Sequence, residues 1–323
     1  MASVDERLRD MPALGREIAE EGWAYLDGAF IPFADAKVSI ATHALQYGTG
    51  VFEGIRAYWN AGEQRLYVFR LREHFERMAR SCRILRIRLP ASVDELCELA
   101  VELLRRQRFQ ADVYVRPLAF KAARSVMVTL SGLRDGFAMY AFPLGDYLPI
   151  DGLSAKTSSW QRIADHAIPA RGKLTGSYIN TALAVDEAHD QGADEAIFLT
   201  ANGHVSEGGG SNLFIVREGE LLTPPVTDDI LEGITRATVM TLAHQELGWR
   251  VVERPIDRTE LYVADEVFFC GTGAQVAPCV RIDGRPVGDG RIGEVSRALA
   301  DLYFAIARGD DPRHPEWRTA VHG

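Results

Sequence analysis

Apolar residues recur along this chain with two periods, and the change from one to the other sketches interspersed strands and helices. Leu71, Phe75, Met78, Cys82 and Leu85 fall at helical spacing and predict a helix over 71–88; residues 93–107 repeat the pattern. Residues 112–120 and 136–142 alternate as strands with one buried face do. Residues 23–32 read as a hairpin turning at Asp27-Gly28. Further on, 176–191 reads as a helix. Two strand pairs follow, 196–200 with 204–206 and 213–216 with 220–222, turning at Asn202-Gly203 and Glu218-Gly219. A helix over 234–247 stops at Gly248, and strands are expected at 250–254 and 266–270. The stretch 143–153 is rich in chain breakers, and a linker at 146–151 separates a unit 1–145 from a unit 152–323. The expected class is α/β (α+β) with two domains.

Composition narrows the function. The net charge is −9 without a basic run, which argues against nucleic acid as a partner. No apolar stretch approaches the roughly 20 residues of a membrane span, and the acid-containing N-terminus lacks the apolar core of a signal peptide. Cys82, Cys97, Cys270 and Cys279 form no CxxC and no disulfide framework, so the cytoplasm is the expected location. The eight histidines are scattered without ligand spacing, so no metal site is expected and a metal hydrolase is disfavoured.

The basic residues carry the first chemical signal. Only four are lysines (Lys37, Lys121, Lys156 and Lys173) and the rest are arginines, so lysine stands where an amine able to lose its proton is useful. Lys173 lies in Pro169-Ala-Arg-Gly-Lys-Leu-Thr-Gly-Ser-Tyr178, upstream of an isolated Glu207 in Ser206-Glu-Gly-Gly-Gly-Ser-Asn-Leu-Phe214 and of Gly233-Ile-Thr-Arg236. An amine, a carboxylate and a glycine-bounded turn entering a helix are what a pyridoxal phosphate site must supply. Each has a plainer reading alone: a solvated lysine between glycines, a surface glutamate in a turn, one helix start among many.

Two further blocks, Tyr47-Gly-Thr-Gly-Val-Phe-Glu-Gly-Ile-Arg-Ala-Tyr58 and Ala264-Asp-Glu-Val-Phe-Phe-Cys-Gly-Thr272, complete an ordered set of five. Over residues 22–310 the chain resembles the class IV (fold-type IV) pyridoxal phosphate aminotransferases, most closely the branched-chain amino acid aminotransferases. The resemblance implies a smaller N-terminal α/β domain, a larger barrel-like C-terminal domain, and pyridoxal 5′-phosphate between them in a homodimer or higher homo-oligomer. It makes Lys173 the Schiff-base lysine and proton carrier, Glu207 the partner of the pyridine nitrogen and Tyr178 the hydrogen-bond donor to the cofactor oxygen O3′. Phosphate binding falls to Ile234, Thr235, Thr272 and Arg77.

For substrate, the resemblance implies donors around Thr272-Gly273-Ala274 for the α-carboxylate. Tyr114 and Arg116 share one strand face, and Arg116 is the bidentate partner of the distal carboxylate of glutamate or 2-oxoglutarate. Phe52, Tyr147 and Tyr47 form an apolar wall, with Tyr47 supplied by a second subunit. Arg56 and Arg162 receive no role. Leu144 stands where many relatives carry Trp, and Gly273 where Ala is commoner, so the preferred amino acid stays open. The implied reaction moves the amino group of L-Leu, L-Ile or L-Val to 2-oxoglutarate, with amino acids and 2-oxo acids as partners. Alternatives on the same fold are a D-amino acid or amine transaminase and an aminodeoxychorismate lyase. A non-catalytic cofactor binder is disfavoured, because it needs neither Lys173 nor Glu207.

Overall fold

The computed structural model describes residues 18, 20–146 and 148–321. Seven strands precede the breaker-rich stretch: β1 (Trp23–Leu26), β2 (Ala29–Pro32), β3 (Gly50–Phe52), β4 (Ile55–Asn60), β5 (Arg65–Phe69), β6 (Val113–Lys121) and β7 (Asp135–Pro143). The hairpin β1–β2 turns at Asp27 and Gly28, both at positive φ (44° and 106°), the geometry that Asp-Gly favours. Three helices accompany these strands: α1 (His43–Tyr47), α2 (Leu71–Ile84) and α3 (Val93–Gln107). Helix α2 ends four residues before the expected 88, and α3 has the expected bounds. A reciprocal cap starts α3, with Ser92 accepting from the Glu95 N–H and the Glu95 carboxylate accepting from the Ser92 N–H. Phe75, Met78 and Cys82 of α2 and Leu96, Ala100 and Leu103 of α3 pack on Val113, Val115 and Met139 of the sheet.

The second half contributes β8 (Leu153–Thr157), β9 (Glu195–Leu199), β10 (Val205–Gly208), β11 (Asn212–Arg217), β12 (Glu220–Thr223), β13 (Val251–Glu253), β14 (Glu266–Gly271), β15 (Gln275–Ile282) and β16 (Arg285–Pro286). They form a nine-stranded mixed sheet in the order β10-β9-β8-β15-β14-β11-β12-β13, with β16 on β15. Its helices are α4 (Tyr178–Asp190), α5 (Ile234–Thr241) and α6 (Glu294–Arg308). The expected helix over 234–247 is α-helical only to Thr241; Leu242–Glu246 continue as a π-helical turn before Gly248, at φ +70°. Helix α4 begins at Tyr178 after a 3-10 turn over Thr175–Ser177, later than the expected 176.

The C-terminal residues return to the first sheet. A last strand, β17 (Arg318–Ala320), pairs with β5, so the first sheet is eight-stranded and includes residues from the expected 152–323 unit. The halves also share a core: Tyr58 and Phe69 of the first sheet pack with Phe214, Phe268, Tyr303 and Trp317. The groove between the sheets is therefore held on both sides, and it contains the site.

Candidate active site

One cavity of about 400 Å³ opens between the two sheets. Lys173 reaches it from a segment stitched to the first sheet. The Lys173 carbonyl accepts from the N–H of Phe52 at 3.1 Å, and its own N–H donates to Ser81 Oγ at 3.1 Å. Its Nζ donates to Tyr178 Oη at 2.6 Å and lies 4.8 Å from the centre of the Phe52 ring. Burial, then the nearby Arg77 guanidinium, pushes the amine down to about 8, while burial and the Glu207 charge push the Tyr178 phenol up to about 12. The other lysines are differently placed: Lys121 and Lys156 pair with Asp135 and Asp283, and Lys37 is exposed. Lys173 combines a lowered pKa with access to the cavity, which suits a nucleophile and base.

Glu207 stands on β10, 5% exposed. One oxygen pairs with Arg162 at 2.6 Å; the other accepts from Asn212 Nδ2 at 2.9 Å and from the N–H of Leu231 at 3.1 Å. Burial raises its pKa in spite of Arg162, so a cationic partner arriving in the cavity would favour its charged form.

The anion end of the cavity is made by α5. Gly233 caps it without a side-chain hydrogen bond, leaving the first N–H groups of the helix, at Ile234 and Thr235, open to a ligand. A Cβ on Gly233 would stand 2.0 Å from Asn212 Oδ1, so glycine is required for this approach. Arg77 adds a cation. Its Nε and one terminal nitrogen each donate to an oxygen of Glu53 at 2.7 Å, and its other terminal nitrogen donates to the Glu232 carbonyl at 3.1 Å. His74 Nδ1 completes the cluster at 2.8 Å from Glu53. Burial opposes the Glu53 charge, but Arg77 and His74 outweigh it and hold the carboxyl at about 2. Burial lowers the His74 pKa in spite of the Glu53 carboxylate that its Nδ1 meets.

Phe52, Tyr114, Arg116, Thr272, Gly273 and Ala274 line the remaining wall. Arg116 stacks 4.5 Å from the Phe52 ring, and one terminal nitrogen reaches Tyr114 Oη at 3.3 Å. Among the described residues its buried Nε has no hydrogen-bond partner, an unmet donor open to an acceptor brought by a ligand. Tyr47, 40% exposed, is not among the lining residues and donates to the Val126 carbonyl. Tyr147 lies outside the described residues.

Four residues without an expected role help to build the site: Glu53, Arg56, His74 and Arg162. Arg56, 1% exposed, donates to the carbonyls of Leu144 and Gly145 on one wall and of Thr272 and Gly273 on the other. It thus ties the segment after β7 to the turn below Ala274. Glu53 and Arg56 sit inside the Tyr47–Tyr58 block, but a sequence does not say which arginine meets which carboxylate. Among the described residues, no group of His, Cys, Asp or Glu is arranged to hold a metal ion.

The residues fit pyridoxal 5′-phosphate: a neutralisable amine, a helix start with a cation for a phosphate, and a buried carboxylate for a ring nitrogen. Comparison with known proteins agrees. Residues 50–282 match the class IV amino-transferase family. A probable branched-chain-amino-acid aminotransferase of Aquifex aeolicus is 44% identical over 93% of this chain and 97% of its own length. The branched-chain-amino-acid aminotransferase of Escherichia coli K12 is 39% identical over 93% and 97%. Among solved structures, the branched-chain aminotransferase of Thermoproteus uzoniensis with norvaline superposes with a TM-score of 0.89 at 43% identity, covering 93% of this chain and 99% of that one. The branched-chain amino acid aminotransferase of Thermobaculum terrenum in its PLP-form gives 0.90 at 38% identity, covering 94% and 100%. The fold and site define a fold-type IV, pyridoxal phosphate-dependent transaminase. Within that class, the chain belongs to the branched-chain amino acid aminotransferases.

Proposed function

We propose that this chain transfers the amino group of L-leucine, L-isoleucine or L-valine to 2-oxoglutarate in two half-reactions at one site. The observation that carries the substrate reading is Arg116, a half-buried arginine facing the cavity whose buried Nε has no hydrogen-bond partner among the described residues. Beside it, Phe52, Tyr114, Phe142 and Leu144 offer largely apolar surface to an aliphatic side chain. A glutamate-type substrate places its distal carboxylate on Arg116, and a branched-chain substrate packs over the same guanidinium and the Phe52 ring. The relatives at 38–44% identity over most of the chain are branched-chain aminotransferases, which disfavours a D-amino acid or amine transaminase and an aminodeoxychorismate lyase.

Pyridoxal 5′-phosphate supplies an aldehyde that bonds an amine and a ring that draws electrons from the substrate Cα. Lys173 Nζ would hold the cofactor and, as a neutral amine, would move the proton at the substrate Cα. Tyr178 Oη keeps that amine oriented, while Glu207 holds the proton of the ring nitrogen. Ile234, Thr235, Thr272 and Arg77 bind the phosphate. The Thr272-Gly273-Ala274 turn, fixed through its carbonyls by Arg56, binds the α-carboxylate.

Addition of L-leucine to the cofactor-loaded protein, without an oxo acid, is expected to convert the pyridoxal absorbance to that of pyridoxamine. A protein that ignores L-leucine but responds to a D-amino acid or an amine contradicts the substrate reading. In Arg116→Gln, KM for 2-oxoglutarate should rise roughly 10- to 100-fold, from the loss of a charge-assisted pair. KM for L-leucine should change far less; equal effects on both would move the distal-carboxylate site elsewhere.

The reading includes a second copy of the chain. Val38, Ile40, Leu45, Val126, Met127 and Val128 are exposed around Tyr47, an apolar surface suited to burial against an identical subunit. Tyr47 of the second copy then completes the substrate wall. Light scattering should give at least the dimer mass, and a monomer at micromolar concentration would refute this. A cytoplasmic location is supported by the free thiols of Cys82, Cys97, Cys270 and Cys279, and cell fractionation checks it. No helix among the described residues is long and apolar enough to cross a membrane.

A further inference from the structure

A second buried carboxyl faces the Glu207 end of the cavity, and none of the roles above uses it. Glu195, on β9, is 3% exposed and lines the cavity together with Glu207, Gly209 and Ser211. Its Oε1 accepts from the N–H of Ala196 at 2.8 Å and of Gly209 at 3.1 Å, and its Oε2 from the Ser211 hydroxyl at 3.4 Å. The fit is close: a Cβ on Gly209 would stand 2.7 Å from Glu195 Oε1 and 2.5 Å from Val185. On the other side, the Thr181 hydroxyl donates to the Gly209 carbonyl at 2.8 Å. Glu195 is therefore built into the turn that directly follows Glu207.

What it lacks is a counter-ion. The charged and titratable groups near it are Glu207 on β10, Arg162 in the segment after β8, Cys279 on β15, the adjacent Asp194, whose carboxylate accepts from Ser154, and His189 on α4, whose ring bonds the Asp194 carbonyl. Arg162 is engaged by Glu207, and among the described residues no salt bridge reaches Glu195. Burial pushes its carboxyl up to about 7; the two backbone N–H groups and Ser211 only partly oppose this, and Glu207 adds to it. An isolated buried carboxylate is costly, and a glutamine would fill the same space without that cost.

Charge balance gives a reason for the carboxyl. Arg162 and Glu207 cancel, so a ring nitrogen that keeps its proton brings one uncompensated positive charge to this end of the cavity. A carboxylate already shared with a guanidinium holds such a proton less firmly than a free one. We propose that Glu195 supplies the missing counter-charge. It is a positioning residue that acts through the Gly208–Ser211 turn and through space on Glu207, ionised when a protonated ring is seated and giving its own proton to solvent as the ring enters. The proposal rests on pyridoxal phosphate being the cofactor of this chain.

Calorimetric titration of the cofactor-free protein with pyridoxal phosphate, in two buffers of different ionisation enthalpy at about pH 6.5, counts the protons released. The unsubstituted protein should release roughly half a proton or more per cofactor beyond what Glu195→Gln releases. With the ring nitrogen labelled by ¹⁵N, its chemical shift should show the ring proton lost at a pH lower by about one unit or more in Glu195→Gln. Glu195→Asp, which keeps a charge, should follow the unsubstituted protein in both readouts. A role in packing alone predicts equal proton release and the same ring titration in Glu195→Gln, and that result overturns the proposal. So does an aspartate variant that behaves as the glutamine one. Failure of the unsubstituted protein to bind the cofactor overturns the cofactor reading itself, and this proposal with it.

Discussion

Lys173→Ala is expected to lower transamination of L-leucine by at least about 10⁴-fold, because it removes the cofactor-bonding amine and the Cα base together. No other lysine can substitute, since Lys121 and Lys156 are held in ion pairs and Lys37 is exposed. The protein should still fold. Among the described residues the side chain hydrogen-bonds only Tyr178, and the backbone links to Phe52 and Ser81 survive the change. Cofactor should then bind without the absorbance of the lysine-linked form. Turnover within tenfold of the unsubstituted protein, with a normal spectrum, would show that another group does this work.

Glu53→Gln should be the most destabilising change at the site outside the hydrophobic core, at roughly 3–5 kcal/mol, because it leaves the buried Arg77 without its bidentate partner. Cofactor affinity should fall with it, since the guanidinium is aimed at the phosphate end by Glu53 and by the Glu232 carbonyl. The pH dependence has a definite sign. Glu53 is held at about 2, below its ordinary 4.5, so its contribution is complete above the ordinary value and is lost as pH falls toward 2. The gap in melting temperature between the two proteins should therefore be full at pH 7 and narrow below about pH 4. An unchanged melting temperature and cofactor affinity at pH 7 would sink the argument that Glu53 orients Arg77.

The local elements were legible where one physical signal dominated. Helix α3 announces itself through a capping box and a long apolar stripe, and the hairpins at Asp27-Gly28 and Glu218-Gly219 through turns that need positive φ at both central residues. Helix α6 carried Val295, Leu299, Leu302 and Ile306 at helical spacing and was there to be read. Strand β17 was not. Its three residues have no strand pattern, and they form a strand because β5 offers an open edge. Likewise, nothing between Arg236 and Gly248 marks the change to a π-helical turn at Leu242, which the packing of Leu242 and Ala243 accompanies.

The site divides in the same way. Residue type and local order bring forward Lys173, Glu207 and Gly233-Ile-Thr235 as candidates, each with a plainer reading by itself, and it is the resemblance across five ordered blocks that gives them roles. Partnership is a different matter. That Arg77 meets Glu53 and His74, that Arg162 rather than another arginine holds Glu207, and that Arg56 joins Leu144 to Thr272 depend on sheets and loops brought together from distant parts of the chain. Charge interactions depend on distance and burial, and a sequence contains neither; hence a chain rich in arginine names the candidates, and only the tertiary structure pairs them.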